Sequence, residues 1–195
     1  MKTLTITLSL LVPAIAAADT PVGVEATAKA EPTNSINASP LGLVVGDYAL
    51  TYEHLFGGSH GLIVEGIGSR SSDDTGSALQ FGGGVGYRWH WRGRQNSGFL
   101  GVMAAQRFGA GSVTENGMQH DMTIRSTSLT ANIGKRWAVT DAVNVTFRIG
   151  GGWGHYTATA KEDTMEAKQA EKLMNDILTF IPIAIDGELS VGYAF

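Results

Sequence analysis

Along most of this chain, apolar and polar residues alternate with a period of two. The last eleven residues, Ile185 to Phe195, put Ile185, Gly187, Leu189, Val191, Tyr193 and Phe195 on one face and Asp186, Glu188, Ser190, Gly192 and Ala194 on the other. Successive side chains of a strand point to opposite faces, so this pattern predicts a strand with one apolar and one polar or small face. Leu79 to Trp91 repeats it, with Leu79, Phe81, Val85, Tyr87, Trp89 and Trp91 against Gln80, Gly82, Gly84, Gly86, Arg88 and His90. Val143 to His155 sets Val143, Val145, Phe147, Ile149 and Trp153 against Asn144, Thr146, Arg148 and three glycines. Leu129, Ala131, Ile133 and Trp137 oppose Thr130, Asn132, Gly134 and Arg136; Leu100, Val102, Ala104 and Phe108 oppose Gly101, Met103, Ala105 and Arg107. Tyr48–Phe56 and Leu62–Arg70 are shorter segments of the same kind.

The connections alternate in length. Residues 57–60, 92–97 and 140–142 read as short turns, and 69–77, 109–126 and 160–184 as long loops. Short turns at one end and long loops at the other are the mark of an antiparallel barrel that crosses a membrane on strands. Seven strands run back from the C-terminus to residue 48, and an even count requires an eighth. It has two candidates: Val22–Ala30, or Ser35–Val45 turned through Gly46-Asp47, the second preferred because Gly-Asp suits a two-residue hairpin. The predicted fold class is therefore all-β, an eight-stranded antiparallel transmembrane barrel.

One stretch departs from this period. Ala170, Leu173, Met174, Ile177, Leu178 and Ile181 follow helical spacing, and Pro182 ends the run. This predicts an amphipathic helix over 161–181 inside the last long loop, suited to packing on the rim, lying at the lipid interface or meeting a protein partner.

The N-terminus changes the location. Lys2, the apolar run Leu4–Val12 and the small residues Ala14–Ala18 form a secretory signal over 1–18, too short to span a bilayer as a helix. That leaves 19–34 as a periplasmic lead or first strand and 35–195 as the barrel, which predicts export to a bacterial outer membrane. The formal charge of −4 offers no basic field for nucleic acid, and with no cysteine no disulfide can staple the exported chain. The 26 glycines and only 16% charged residues fit strands that spread their apolar surface.

These features resemble small outer-membrane β-barrel proteins of Gram-negative bacteria: the OmpA transmembrane domain and the OmpX and OmpW types. The resemblance rests on the signal, the dyad strands, the turn asymmetry and the terminal Val191-Gly-Tyr-Ala-Phe195. It implies that the terminal aromatic strand is read by the barrel assembly machinery and that outer-membrane lipids and lipopolysaccharide are partners. Ser39-Pro-Leu-Gly-Leu43 with Tyr52-Glu53 also looks like a group of uncharacterised bacterial barrels.

Candidate chemistry lies on the inward face. Alternation turns Glu53, Glu65, Asp186 and Glu188 into the lumen, with Arg88, Arg107, Arg136 and Arg148. An eight-stranded barrel is just wide enough for side chains to fill, and unpaired charge there is costly. The eight residues are expected to neutralise one another as a plug; the competing reading is a gated ion path. The inward glycines 82, 84, 86, 150, 152 and 154 are expected to make room for the long arginines. Phe56, Trp89, Trp91, Phe99, Trp137, Tyr193 and Phe195 fall at the short-turn end and Tyr48, Phe81, Phe108 and Trp153 nearer the other, as two aromatic girdles. Ser59-His60 lies in a short turn, and His155 with His120, Asp121 and Ser126 near the outer end is a weak triad candidate; neither carries an esterase motif, so no catalytic residue is assigned. Asp73-Asp74 and His120-Asp121 lack metal-loop spacing, so no metal or cofactor is expected. The sequence thus favours a non-enzymatic barrel with an envelope-structural or surface-interaction role, over a narrow channel or small apolar-solute transporter, and over a lipid A-modifying enzyme.

Overall fold

A computed structural model describes residues 31–40, 46–73, 76–115, 118–180 and 182–195. The signal region, the Val22–Ala30 candidate strand, Leu41–Val45 and Ile181 lie outside the described residues. Eight antiparallel strands form one closed barrel in sequence order: β1 (Asn34–Ala38), β2 (Asp47–Phe56), β3 (His60–Asp73), β4 (Gly76–His90), β5 (Gly98–Glu115), β6 (Met118–Ala138), β7 (Val143–Ala160) and β8 (Ile183–Ala194). A helix, α1 (Met165–Phe180), sits between β7 and β8. The first strand thus begins within the 34–38 segment, as in the second of the two candidate arrangements.

Closure depends on the shortest strand. β1 pairs with β2 from Asn34↔His54 to Ala38↔Leu50 and with β8 from Ser35↔Ala194 to Ala38↔Val191. Beyond the last ladder pair, Asn34 and Phe195 exchange both backbone hydrogen bonds at 2.9 Å. The aromatic C-terminus is thereby zipped to the start of the barrel, which removes the sheet's free edge at that level.

Side-chain burial is inverted relative to a water-soluble domain. Arg88 and Glu53 are 0% exposed, whereas Phe81 is 62%, Val85 59% and Leu129 57% exposed. Polar groups therefore fill the interior and a broad apolar surface covers the wall, far more than a water-facing monomer carries as one patch.

Turns at one end follow from residues that accept a left-handed backbone. Gly57 and Gly58 have φ of 57° and 73° in the β2–β3 turn, and Gly93 has 65° after β4. In the β6–β7 turn the Thr140 hydroxyl accepts from the Val143 amide at 2.9 Å. This end, which also holds Asn34 and Phe195, is the turn end; α1 marks the loop end.

Two of the expected long loops are instead strand. β3 and β4 pair out to Asp73↔Gly76, and β5 and β6 out to Glu115↔Met118. Residues such as Ser71, Ser72, Ser77, Ser112 and Thr123 satisfy their backbone in the ladder, yet they carry no apolar alternation. The hairpins project beyond the apolar wall, so the period that marks a strand below is absent there.

The helix is shorter than expected and covers an edge. Thr164 caps it, its hydroxyl accepting from the Ala167 amide at 3.2 Å. β7 pairs with β8 only up to Trp153↔Ile183, so its last turnless stretch has no strand on that side among the described residues. The Asn175 side chain takes that place: its Oδ1 accepts from Ala158 N–H and its Nδ2 donates to Ala158 C=O, both at 2.8 Å. Glu171 accepts from Ala160 N–H at 2.9 Å. Ala170, Met174 and Leu178 pack on Met122 and Ala158, which carry the inward parity of β6 and β7. The helix therefore leans into the barrel mouth while Leu173 and Ile177 remain about half exposed.

Replacing Asn175 with Ala leaves the Ala158 N–H and C=O unpaired, at a cost of about 1–3 kcal/mol to local docking. Amide exchange at Ala158 is expected to accelerate and the 161–182 segment to become protease-sensitive, with the barrel's gel mobility retained. Unchanged Ala158 exchange would refute the role given to this amide.

Candidate functional site

From the turn end upward, the lumen is occupied mainly by polar side chains of β1–β4 and β6–β8, with Ile63, Phe99 and Met103 buried beside them. At the base, the Asn37 amide nitrogen lies 2.8 Å from Asn144 Oδ1, 3.1 Å from Thr146 Oγ1 and 3.2 Å from Ser190 Oγ. The β4–β5 turn folds two groups beneath the charges: Gln95 Oε1 accepts from Arg136 Nη1 at 3.0 Å, and Ser97 Oγ stands 3.0 Å from His90 Nδ1.

Glu53 is the hub. Its Oε2 accepts from Arg136 Nη2 at 2.6 Å and Arg88 Nη1 at 3.1 Å, and its Oε1 lies 2.8 Å from His90 Nε2. Arg88 bridges onward, donating from Nη2 to Glu188 Oε2 at 2.6 Å. Ser190 donates to the other oxygen of Glu188, Oε1, at 2.5 Å, and Arg148 Nη1 approaches Oε2 at 3.5 Å. Arg148 Nη2 then reaches Glu65 at 2.9 Å and Asp186 at 3.0 Å. Thr51 donates to Glu65 at 3.0 Å, and Asn132 and Thr130 to Asp186 at 2.7 and 3.3 Å. One chain of ion pairs thus climbs from His90 to Asp186, joining β2, β3, β4, β6, β7 and β8 across the lumen. Each carboxylate in it accepts at least two hydrogen bonds, the condition under which buried charge is tolerable.

Seven of the eight charged residues read as lumen-facing meet in this cluster. Arg107 does not. It stands nearer the loop end, about one-third exposed, with Asp47 at 3.8 Å as its partner. Strand parity places its side chain inward, but its depth along the barrel puts it above the cluster, where water is close.

His90 joins the cluster at its turn-end edge. Its two ring nitrogens lie 2.8 Å from Glu53 Oε1 and 3.0 Å from Ser97 Oγ, and the Ser97 hydroxyl donates to Gly98 C=O at 2.9 Å.

Phe99 is not part of the outer girdle. It is 0% exposed inside the lumen, with the Arg88 guanidinium 4.4 Å from its ring centroid and the His90 ring at 5.4 Å. Phe56, Trp89, Trp91, Trp153, Tyr193 and Phe195 are exposed on the outer wall, and Lys135 lies 5.2 Å over Trp137. Phe56 stacks on His60 at 5.6 Å, and the His60 ring lies 2.6 Å from the Tyr87 hydroxyl.

The inward glycines play a different part from the one expected. A Cβ at Gly82, Gly150 or Gly152 would meet the backbone of a neighbouring strand, at Gly86 Met103, and at Gly154 the Tyr156 ring. Room for the charged groups comes from Gly61, whose Cβ would collide with Glu53 Oε1, and Gly101, whose Cβ would lie 3.3 Å from Arg88 Cγ. Substituting either would push on the cluster directly.

The catalytic candidates do not converge. His155 points outward and stacks on Trp153, His120 is buried 4.0 Å from Glu162, and Asp121 is exposed beside Lys161. Among the described residues no three metal-binding side chains cluster. Above the ion cluster, at the loop end, lies a cavity of about 360 Å³ walled by Met122, Ile124, Ala158, Met174 and Leu178 on one side and by Ser71, Ser77, Gln80 and Ser112 on the other.

Apolar wall, closed strand order and buried ion cluster together define an eight-stranded antiparallel barrel with an ion-pair cluster across the turn-end half of its lumen. No protein-family model and no curated protein matches the chain. Among solved structures it is similar to CarO2 of Acinetobacter baumannii, at 11% identity over 85% of this chain and 99% of that one, with a TM-score of 0.45. It is likewise similar to Acinetobacter baumannii CarO, at 12% identity over 84% and 98%, also with a TM-score of 0.45.

Truncating Glu53 to Ala strands two arginines and is expected to cost about 3–5 kcal/mol of unfolding free energy. Arg107→Ala, at the partly exposed pair, is expected to cost less than about 1 kcal/mol. Urea unfolding in lipid vesicles compares the two; equal losses would remove the distinction between cluster and rim.

Proposed function

We propose that this chain is an outer-membrane β-barrel protein, closed by its internal ion cluster, with a non-enzymatic role in envelope structure and surface interaction. The observation that carries this reading is the continuous chain of ion pairs around Glu53 inside a wall whose exposed face is apolar. In hydrocarbon only helices and closed barrels satisfy their backbone, and among the described residues no helix is long and apolar enough to cross. Short turns and both barrel termini then face the periplasm, and α1 and the projecting hairpins face outward. The Tyr193 and Phe195 strand end fits recognition by barrel assembly machinery, and the exposed Leu173 and Ile177 suit contact with lipid or a protein partner.

The second reading, a route for small apolar solutes, draws support from the cavity beneath α1, where Met122, Met174 and Leu178 supply an apolar wall. The ion cluster lies below that cavity, nearer the turn end.

Single-channel recording separates the two. Purified protein in planar bilayers is expected to give no steady current, and the paired truncation Glu53→Ala with Arg88→Ala to introduce one. A stable ion-selective current from the unmodified protein would sink the plug. Lipid A mass spectra unchanged by the protein's presence are expected, and an altered acyl pattern would overturn the non-enzymatic assignment.

A further inference from the structure

Three strands bring a polar row together on the outer wall, at the upper border of the apolar belt. Gln106, Thr127 and His155 are in register across β5, β6 and β7. The next row toward the loop end holds Phe108, Arg125 and Thr157; the next toward the turn end holds Ala104, Leu129 and Trp153. Arg125, Gln106, Thr127 and His155 are exposed and Thr157 partly so. Directly paired residues on adjacent strands sit about 5 Å apart, so these five polar groups span one lipid headgroup.

The charge of this patch is uncompensated. Arg125 is held 5.7 Å from the Phe108 ring centroid and has no carboxylate partner among the described residues. The acid further up the same face of β6, Asp121, is occupied by Lys161 at 3.8 Å. His155 is fixed by stacking on Trp153, with centroids 6.0 Å apart and planes 7° from parallel. A guanidinium, an imidazole, two hydroxyls and an amide therefore face the bilayer border as donors without an acceptor of opposite charge.

We propose that this patch binds the phosphomonoester of a phosphorylated glycolipid in the outer leaflet, an inference that rests on the outer-membrane reading above. Arg125 supplies the charge, and Thr127, Thr157 and His155 supply donors around it. A monoester presents three unesterified oxygens to this fan of donors, where a diester presents two. Gln106 lies beside the site, where sugar hydroxyls would sit, and the acyl chains run down over Leu129, Ile133 and Ile149. The loop end faces the outer leaflet in the proposed orientation, which is why a glycolipid is the occupant rather than a periplasmic-leaflet phospholipid.

The test uses the mature protein in mixed micelles and counts bound lipid by native mass spectrometry. The probes are a monophosphorylated acyl-glucosamine disaccharide lipid, its dephosphorylated form, and phosphatidylglycerol. The phosphorylated glycolipid is expected to be retained about ten-fold over either comparator, and Arg125→Gln to abolish that preference. Arg70→Gln, an exposed arginine on β3 away from the patch, is expected to leave it intact. Equal retention by the Arg125 variant, or equal retention of phosphatidylglycerol, overturns the assignment. Insertion into vesicles and heat-modifiable gel mobility are measured first on the same preparation. A chain that fails to insert sinks the membrane reading itself, whereas one that inserts and retains no glycolipid sinks only this site.

Discussion

The buried charges of six strands are organised around Glu53 and its three partners. A carboxylate buried in a low-dielectric interior is expensive unless its lone pairs are filled, and here Arg136, Arg88 and His90 fill them from two other strands. The arginines are in turn tolerable because Glu188, Glu65 and Asp186 meet their remaining faces or their neighbour Arg148. Every member of the chain has at least two polar partners, and Glu53, Arg88, Arg148 and Glu188 each join two or more ion pairs, so the lumen behaves as one polar core. Gly61 beside Glu53 and Phe99 beneath Arg88 show that the packing around these charges is as specific as in an apolar core.

That polar core is what allows the outside to be apolar. A barrel with Leu, Val and Phe on its outer wall has only a few buried apolar side chains, among them Ile63, Phe99 and Met103, so closure comes largely from the backbone ladder and from bonds across the lumen. The seam between β1 and β8 contributes few ladder bonds, because β1 is five residues long. Asn37, which reaches across to Asn144, Thr146 and Ser190, ties that seam to β7 and β8 from inside. Helix α1 solves a related problem at the other end: the Asn175 amide stands in for a ladder rung where β7 outruns β8.

How much of this was legible in the sequence follows from what a period of two can report. Parity assigns a side chain to a face, and Glu53, Glu65, Arg88, Arg136, Arg148, Asp186 and Glu188 lie on the face it indicates. Parity is silent on depth, which is why Arg107 reads like the other arginines yet stands at the rim beside Asp47. Phe99 shares the odd parity of Gly101 and Met103, a signal for the lumen; its nearness to the turn end pointed to the girdle instead. His90 has inward parity as well, but parity does not show that its ring reaches Glu53 on β2. The hairpin extensions of β3–β6 were invisible because strand with water on both faces needs no alternation.

The distribution of polar groups along the axis also bears on function. The ion cluster occupies the turn-end half of the lumen, while the loop-end half holds neutral serines and Gln80 facing the apolar residues under α1. A pore that conducts ions attracts them with unpaired charge or carbonyl dipoles, whereas each buried carboxylate of this cluster is already neutralised by a cation. The same pairing suits a wall element whose two ends do separate work. The turn-end half is held together by ion pairs. On the outer-membrane reading proposed above, the loop-end half, with its projecting hairpins, docked helix and the Arg125 border on the outer wall, is the part that meets lipid and partners.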